Sequence, residues 1–203
     1  MRIWEVIKRI WCFIWGQIFI FFFYDRKYFT GEWFEGRYGR ILAPGWKWVY
    51  YDGMSRLFQG TNKDVPWPVC GSSRVIGWEN IEFHPDDLRN FQNIANYYQA
   101  LDSHIIIGKG TWIATGVGII ASNHDLNDPN KRGKGEDVLI GEKCWIGMNA
   151  VILPGVELGA HTIVGAGAVV TKSFPTGNCV IAGNPARIIK RINKEKEKEK
   201  DEI

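Results

Sequence analysis

A six-residue phase running from Ile140 to Thr171 constrains this chain more than any other feature. Aliphatic side chains stand at Ile140, Ile146, Ile152, Leu158, Val164 and Val170. A small or uncharged residue follows each of the first five four places later, at Cys144, Ala150, Val156, Thr162 and Ala168. Six is not a helical period, and Pro154 together with Gly141, Gly147, Gly159 and Gly165 excludes a long helix here. A short strand plus a tight corner, repeated, does fit six. Coils stacked on such a repeat set like residues above one another, so the aliphatics share an interior that no single repeat can bury. The phase also holds at Ile107, Ile113 and Ile119, with Thr111 and Val117 at the small position, and a fainter trace passes through Val69, Val75 and Ile81. From Ile119 to Ile140 is 21 positions, three more than three whole repeats, so the chain bulges there, beginning at Asn123-His124-Asp125.

The 203 residues suit one main domain with an appended N-terminal part. A net charge of +3 without a basic stripe argues against nucleic acid as a partner. Cys12, Cys70, Cys144 and Cys179 are too scattered for a disulfide framework or a metal knuckle, so a reducing compartment is expected. His84 and His104 read as turn residues and His161 as an exposed corner residue. No two histidines are spaced like a metal-binding set, and no metal is expected.

Residues 1–29 contain an uncharged run from Ile10 to Tyr24, 15 residues long, or roughly 22 Å as a helix. A full crossing needs roughly 20 apolar residues. Arg2, Lys8 and Arg9 precede the run, Arg26 and Lys27 follow it, and no small-residue cleavage site of the signal-peptide kind comes after it. Trp4, Trp11 and Trp15 with cationic flanks suit a headgroup boundary. The segment therefore reads either as a monotopic anchor, which places the protein on the cytoplasmic face of the cell membrane, or as a helix packed on its own protein or a partner subunit. Residues 30–68, with Trp33, Phe34, Tyr38, Trp46, Trp48, Tyr50 and Tyr51 broken by Gly, Pro and Asp, predict short strands and turns rather than helices. They would cap the open end of the stack or rest on a membrane. Residues 85–101 read as a helix or as a loop between coils; Leu88, Phe91, Ile94 and Tyr98 are spaced for one helical face, starting near Asp86 or Asp87. Residues 123–137 read as a polar extruded loop, and the charge-alternating tail 193–203 as a solvated helix end or disorder. The β region spans 69–186, and 187–203 is read as a C-terminal helix and charged tail.

The repeats, the Asn-His-Asp loop and the run IAGNPARIIKRI (181–192) together resemble the hexapeptide-repeat acyltransferases, in the galactoside, maltose and capsule-sugar O-acetyltransferase branch, over about 103–192. The resemblance implies a mainly β chain: a left-handed parallel β-helix with an N-terminal helical and aromatic extension, assembled as a homotrimer with acetyl-CoA bound in clefts between subunits. It implies His124 as general base on an acceptor hydroxyl, with Asn123 or Asp125 orienting the imidazole or the acceptor. It places Trp145, Gly147 and Met148 along the pantetheine arm, with Ala166 one coil above Met148. Thr171 and Lys172 fall near the adenylate end, and Arg187 and Lys190, three apart on one face of a terminal helix, meet the phosphates. Met148 is bulkier than the residue relatives often carry, and Asp125 replaces a proline found in several of them. The implied activity is O-acetylation of a saccharide, capsular, extracellular or lipid-linked. The rival readings are N-acetylation of an amino sugar and a non-catalytic β-helix assembly subunit.

Overall fold

In the computed structural model, which describes residues 3–35 and 40–192, each hexapeptide forms one side of a three-sided coil. Face one stacks β1 (Arg74–Ile76), β3 (Tyr97–Gln99), β6 (Gly118–Ile120), β9 (Val151–Ile152) and β12 (Val169–Val170). Face two stacks β2 (Ile81–Phe83), β4 (Ile105–Ile107), β7 (Val138–Ile140) and β10 (Glu157–Leu158). Face three stacks β5 (Trp112–Ile113), β8 (Trp145–Ile146), β11 (Thr162–Val164), β13 (Cys179–Ala182) and β14 (Arg187–Arg191). The chain visits the faces in turn, and the strands pair in parallel except for β13 with β14. Trp145 pairs with Ile163 and Val151 with Val169, an offset of 18 residues, so three repeats close one coil.

The repeat aliphatics from Ile107 to Val170 are at most 3% exposed, and the small positions at most 1%. Burying one such aliphatic is worth about 1.5–3 kcal/mol, and each lies on its counterpart in the next coil. The corners are tight for the same reason: a Cβ on Gly147 would lie 2.7 Å from both the Ala166 nitrogen and the Val164 oxygen. Ile119 belongs to face one and Ile140 to face two. The 21 positions between them therefore hold no skipped coil. They are one ordinary side plus an insertion at a single corner, which is where 123–137 leaves the solenoid.

The first coil is finished by different means. A 3-10 helix, Pro85–Gln92, takes the place of a strand beside β5. The Asn90 carboxamide accepts from the Ile113 N–H at 3.0 Å and donates to the Thr111 carbonyl at 2.9 Å, while Asn93 donates to the Ile113 carbonyl at 2.6 Å. Side-chain amides thus satisfy an edge that a strand would otherwise pair. Leu88 and Phe91 are fully buried, but Ile94 is 58% exposed and Tyr98 belongs to β3, so the expected helical face stops at Phe91. Buried Trp67 lies over this coil, with ring centroids 5.0 Å from Phe83 and from Tyr28 and 5.2 Å from Phe91.

Two expectations are corrected. Within 30–68 the chain is helical rather than stranded: after α1 (Ile3–Phe23) come α2 (Glu32–Glu35) and α3 (Gly45–Phe58). The buried positions of α3 include Trp46, Val49, Gly53 and Arg56, three or four apart. Their mixture of aromatic, aliphatic, glycine and charge hides the period from a hydrophobic pattern. Contact with α1 selects the helix: the face of Trp46 lies where a Cβ on Gly16 would sit, and the Phe19 ring lies over Gly53. Arg56, 1% exposed, donates to Asp52 Oδ2 at 2.8 Å and to the carbonyls of Val65 at 2.8 Å and Trp67 at 2.9 Å. The Tyr24 hydroxyl donates to the same carboxylate oxygen at 2.7 Å, joining the end of α1 to α3.

The second correction concerns 187–191, read as helix and found as β14, antiparallel to β13 with Arg187 beside Ala182 and Lys190 beside Val180. The reversal at Gly183, φ +97°, lets the chain cover the open edge of the last coil. Backbone pairing there outweighs the local helical spacing. Tyr38, Arg2 and the tail 193–203 lie outside the described residues.

Candidate active site

The insertion 123–137 folds as a small antiparallel excursion in which His124 bridges to Arg132. The Asp125 N–H donates to the Lys131 carbonyl at 3.0 Å, and the Gly133 N–H to the Asn123 carbonyl at 2.9 Å. The Asp125 carboxylate accepts the N–H groups of Asn127 at 2.8 Å and Asp128 at 3.0 Å, so it builds the turn beyond His124. At the base of the loop Arg132 meets Asp102 at 3.3 Å, and the His104 N–H donates to Asp137 at 2.8 Å. That backbone donor holds the Asp137 carboxyl below its ordinary value, and Lys131 does the same to Asp128. These ties fasten the loop to the preceding coil along the edge between faces one and two.

The exposed His124 ring has Nδ1 2.9 Å from the Pro129 carbonyl oxygen. A carbonyl only accepts, so this bond needs the proton on Nδ1 and leaves the Nε2 lone pair available. A neutral imidazole fixed in this tautomer is equipped to take a proton from a hydroxyl brought to its outer nitrogen.

The other sequence-derived residues fall on different parts of the prism. Thr171 and Lys172 are exposed at the corner following β12, on the same edge as His124, Asn123 and Asp125, and the Lys172 ammonium lies 5.7 Å from the Phe174 ring centre. Gly147, Met148 and Ala166 sit at corners between faces three and one. There the Gly167 N–H donates to the Met148 carbonyl at 2.8 Å, and Met148 is 52% exposed. Trp145 points outward from face three beside Trp112, and with Arg89, Asn90 and Asn93 both line a cavity of ≈ 170 Å³. The Arg89 guanidinium stacks 4.0 Å over Trp112. Arg187 and Lys190 are exposed on β14. One chain therefore carries two separate groups: the histidine loop with Thr171 and Lys172 on one edge, and the Met148–Ala166 corners on the next, with face one between them.

Several residues that shape the site carry no signal in the periodicity. The Pro129 carbonyl sets the imidazole tautomer, and the Asp102–Arg132 and His104–Asp137 pairs pin the loop across 30 and 33 residues. His104, read as a turn residue, is one of these anchors.

Residues 137–172 match the family model described as bacterial transferase hexapeptide (six repeats). The chain is 38% identical over 109 residues to the galactoside O-acetyltransferase of Escherichia coli (strain K12), which is 52% of this chain and 53% of that one. It is 32% identical over 121 residues to the galactoside O-acetyltransferase of Lactococcus lactis, 58% of this chain and 56% of that one. Against the crystal structure of a maltose O-acetyltransferase from Clostridium difficile 630 the identity is 38%, over 49% of this chain and 56% of that one, with a TM-score of 0.44. The chain spans about half the length of the curated relatives it matches.

Proposed function

We propose that this chain, whose residues 137–172 match the bacterial transferase hexapeptide model, is an acetyl-CoA-dependent O-acetyltransferase acting on a saccharide hydroxyl. The observation that carries the reading is the His124 imidazole, its Nδ1 proton engaged by Pro129 and its Nε2 left free at the one corner where the solenoid opens into a loop. The relatives named O-acetyltransferases support the reaction class.

In the proposed reaction Nε2 takes the proton of the acceptor hydroxyl as its oxygen attacks the thioester carbonyl. The tetrahedral oxyanion is held by backbone N–H donors in the cleft. Its collapse breaks the C–S bond, and the departing thiolate takes the proton back from the imidazolium. The donor would lie along the exposed corners at Gly147, Met148 and Ala166, beside Trp145. Lys172, Arg187 and Lys190, all exposed, are the cations offered to its phosphates. Since base and donor groups occupy different edges of a single chain, the reading includes assembly as a homotrimer of left-handed solenoids, in which an edge of one subunit meets another edge of its neighbour. The acceptor class is a capsular, extracellular or lipid-linked saccharide.

The test is coenzyme A thiol release from acetyl-CoA across a panel of saccharides, with hydroxyl and amine acceptors compared side by side. His124→Ala is expected to lower turnover about 10²–10⁴-fold while acetyl-CoA binding persists. A loss of less than about tenfold would leave no role for a general base, and preference for amine acceptors would move the reading to N-acetylation.

A further inference from the structure

The exposed positions of α1 fall on about half of the helix circumference at 3.6 residues per turn, and this half is apolar from end to end. Ile3 is 80% exposed, Trp4 71%, Phe21 76%, and Ile7, Trp11 and Ile14 each 51%. Among the exposed residues of the arc only Lys8 and Gln17 are polar, and they stand at its two margins. The charged residues Glu5 and Arg9 face the protein: Glu5 pairs with Lys47 at 3.4 Å, and Arg9 donates to the Leu42 carbonyl at 2.7 Å. A helix on a water-facing surface has the opposite arrangement, with its charge outward. An apolar strip about 30 Å long is also larger than the scattered exposed side chains of ordinary surfaces.

We infer that α1 docks the protein on a lipid surface, lying in the plane of the interface with its outer half immersed and not crossing the bilayer. Lipid is the occupant that the strip matches. Tryptophans at 4, 11 and 15 run along one side of the arc, Lys8 stands at its margin, and the exposed cations Arg26 and Lys27 follow in the next turn (Arg26–Tyr28), the combination that favours an anionic headgroup layer.

What rules out crossing is the inner half. It is packed on α3 through Gly16 against Trp46 and Phe19 against Gly53, and it is tied by Tyr24 to Asp52. An upright α1 would draw Lys47, Asp52 and Arg56 into hydrocarbon, where charge is expelled. By length and composition α1 could cross a bilayer core, so it is this packing that decides. This inference does not depend on the catalytic reading.

The experiment mixes the full chain, carrying an N-terminal epitope tag, with sealed vesicles of phosphatidylglycerol and phosphatidylethanolamine and floats them on a density gradient. The chain is expected to float, and the tag to be removed by added protease without detergent. The triple variant Ile7→Glu, Ile14→Glu, Phe21→Glu changes only exposed positions. It is expected to keep the thermal midpoint and to float about tenfold less or worse. Failure of the unmodified chain to float, or flotation of the variant at the same level, overturns docking. An oligomer in lipid-free buffer that dissociates in the variant, with no flotation of either, overturns it in favour of a second copy of the chain. A tag protected until detergent is added overturns the in-plane orientation.

Discussion

In the solenoid, Ile146 pairs with Ile113 in the coil before and Val164 in the coil after, and the same statement with other numbers holds at Ile152 and Leu158. In the helical region around α1 and α3 no statement can be transposed: Gly53 exists for Phe19, Gly16 for Trp46, and Arg56 for one carboxylate and a particular set of carbonyls. The first region is stabilised by repetition, each residue having the same needs as its neighbours. The second is a single fit in which every partner is different. The catalytic reading belongs to the one corner of the repetitive region that breaks its own rule, and the docking reading to the region with no rule to break.

Substitutions sharpen this contrast. Arg56→Ala should be the most damaging, at about 3–5 kcal/mol, because Asp52 would stay buried without its counter-charge and the carbonyls of Val65 and Trp67 would lose their donor. Urea unfolding measures it, and a loss below about 1 kcal/mol would mean the helical region is not knit through this side chain. Ile146→Ala should cost about 2–5 kcal/mol, the range for a core cavity that surrounding coils cannot collapse into. Val164→Ala should cost less, since it removes less volume; equal costs would contradict the stacking account.

Glycine changes separate the two regions by mechanism. Gly53→Ala should lose about 1–3 kcal/mol because a Cβ would enter the Phe19 ring. At Gly167 nothing lies within 4 Å of an added Cβ, but φ is +68°, so Gly167→Ala should lose about 1–2 kcal/mol from the dihedral alone. Asparagine, which tolerates that dihedral, should recover part of the loss at 167 and none at 53. Recovery at both positions would erase the distinction.

The smallest expected effect is on pH. Asp137 is held below its ordinary value of 3.8 by the His104 N–H, so its contribution to loop stability is present above that value and is lost as pH falls through the depressed one. Asp52 is raised by burial, against the pull of Arg56. Its linkage has the opposite sign: stability present below 3.8 is lost as pH rises through the raised value. Hydrogen exchange between pH 6 and pH 3 should show α3 amides gaining protection on acidification while the 123–137 amides hold until below about pH 3.8. Loss of loop protection already at pH 5 would remove Asp137 as its anchor.

How much was legible follows the same division. Ile107 through Val170 announce a stack of short strands and tight corners because a repeat writes its tertiary neighbours into the sequence at a fixed offset; its three sides came from the family resemblance and are seen in the structure. His124 was visible because the phase fails beside it. The length of the insertion was not, since 21 positions divide equally well as three repeats and a remainder or as one repeat and a loop. Residues 45–58 were misread because the buried side of α3 includes Gly53, Asp52 and Arg56, which no hydrophobic count recognises. Arg187 to Arg191 were misread because a spacing of three suits a helix, while the open edge of β13 demanded a strand.

The sequence by itself determined the six-residue repeat, the residues of its core and the place where it opens, all of them consequences of local spacing repeated until it becomes tertiary contact. Only the folded structure decided which nitrogen of His124 is free, which edges the other candidate residues occupy, and that Glu5 and Arg9 of α1 turn inward while its apolar half turns out. Those depend on partners 5 to 42 residues away, such as Pro129 for His124, Leu42 for Arg9 and Lys47 for Glu5. No periodicity records them, because each such contact occurs once.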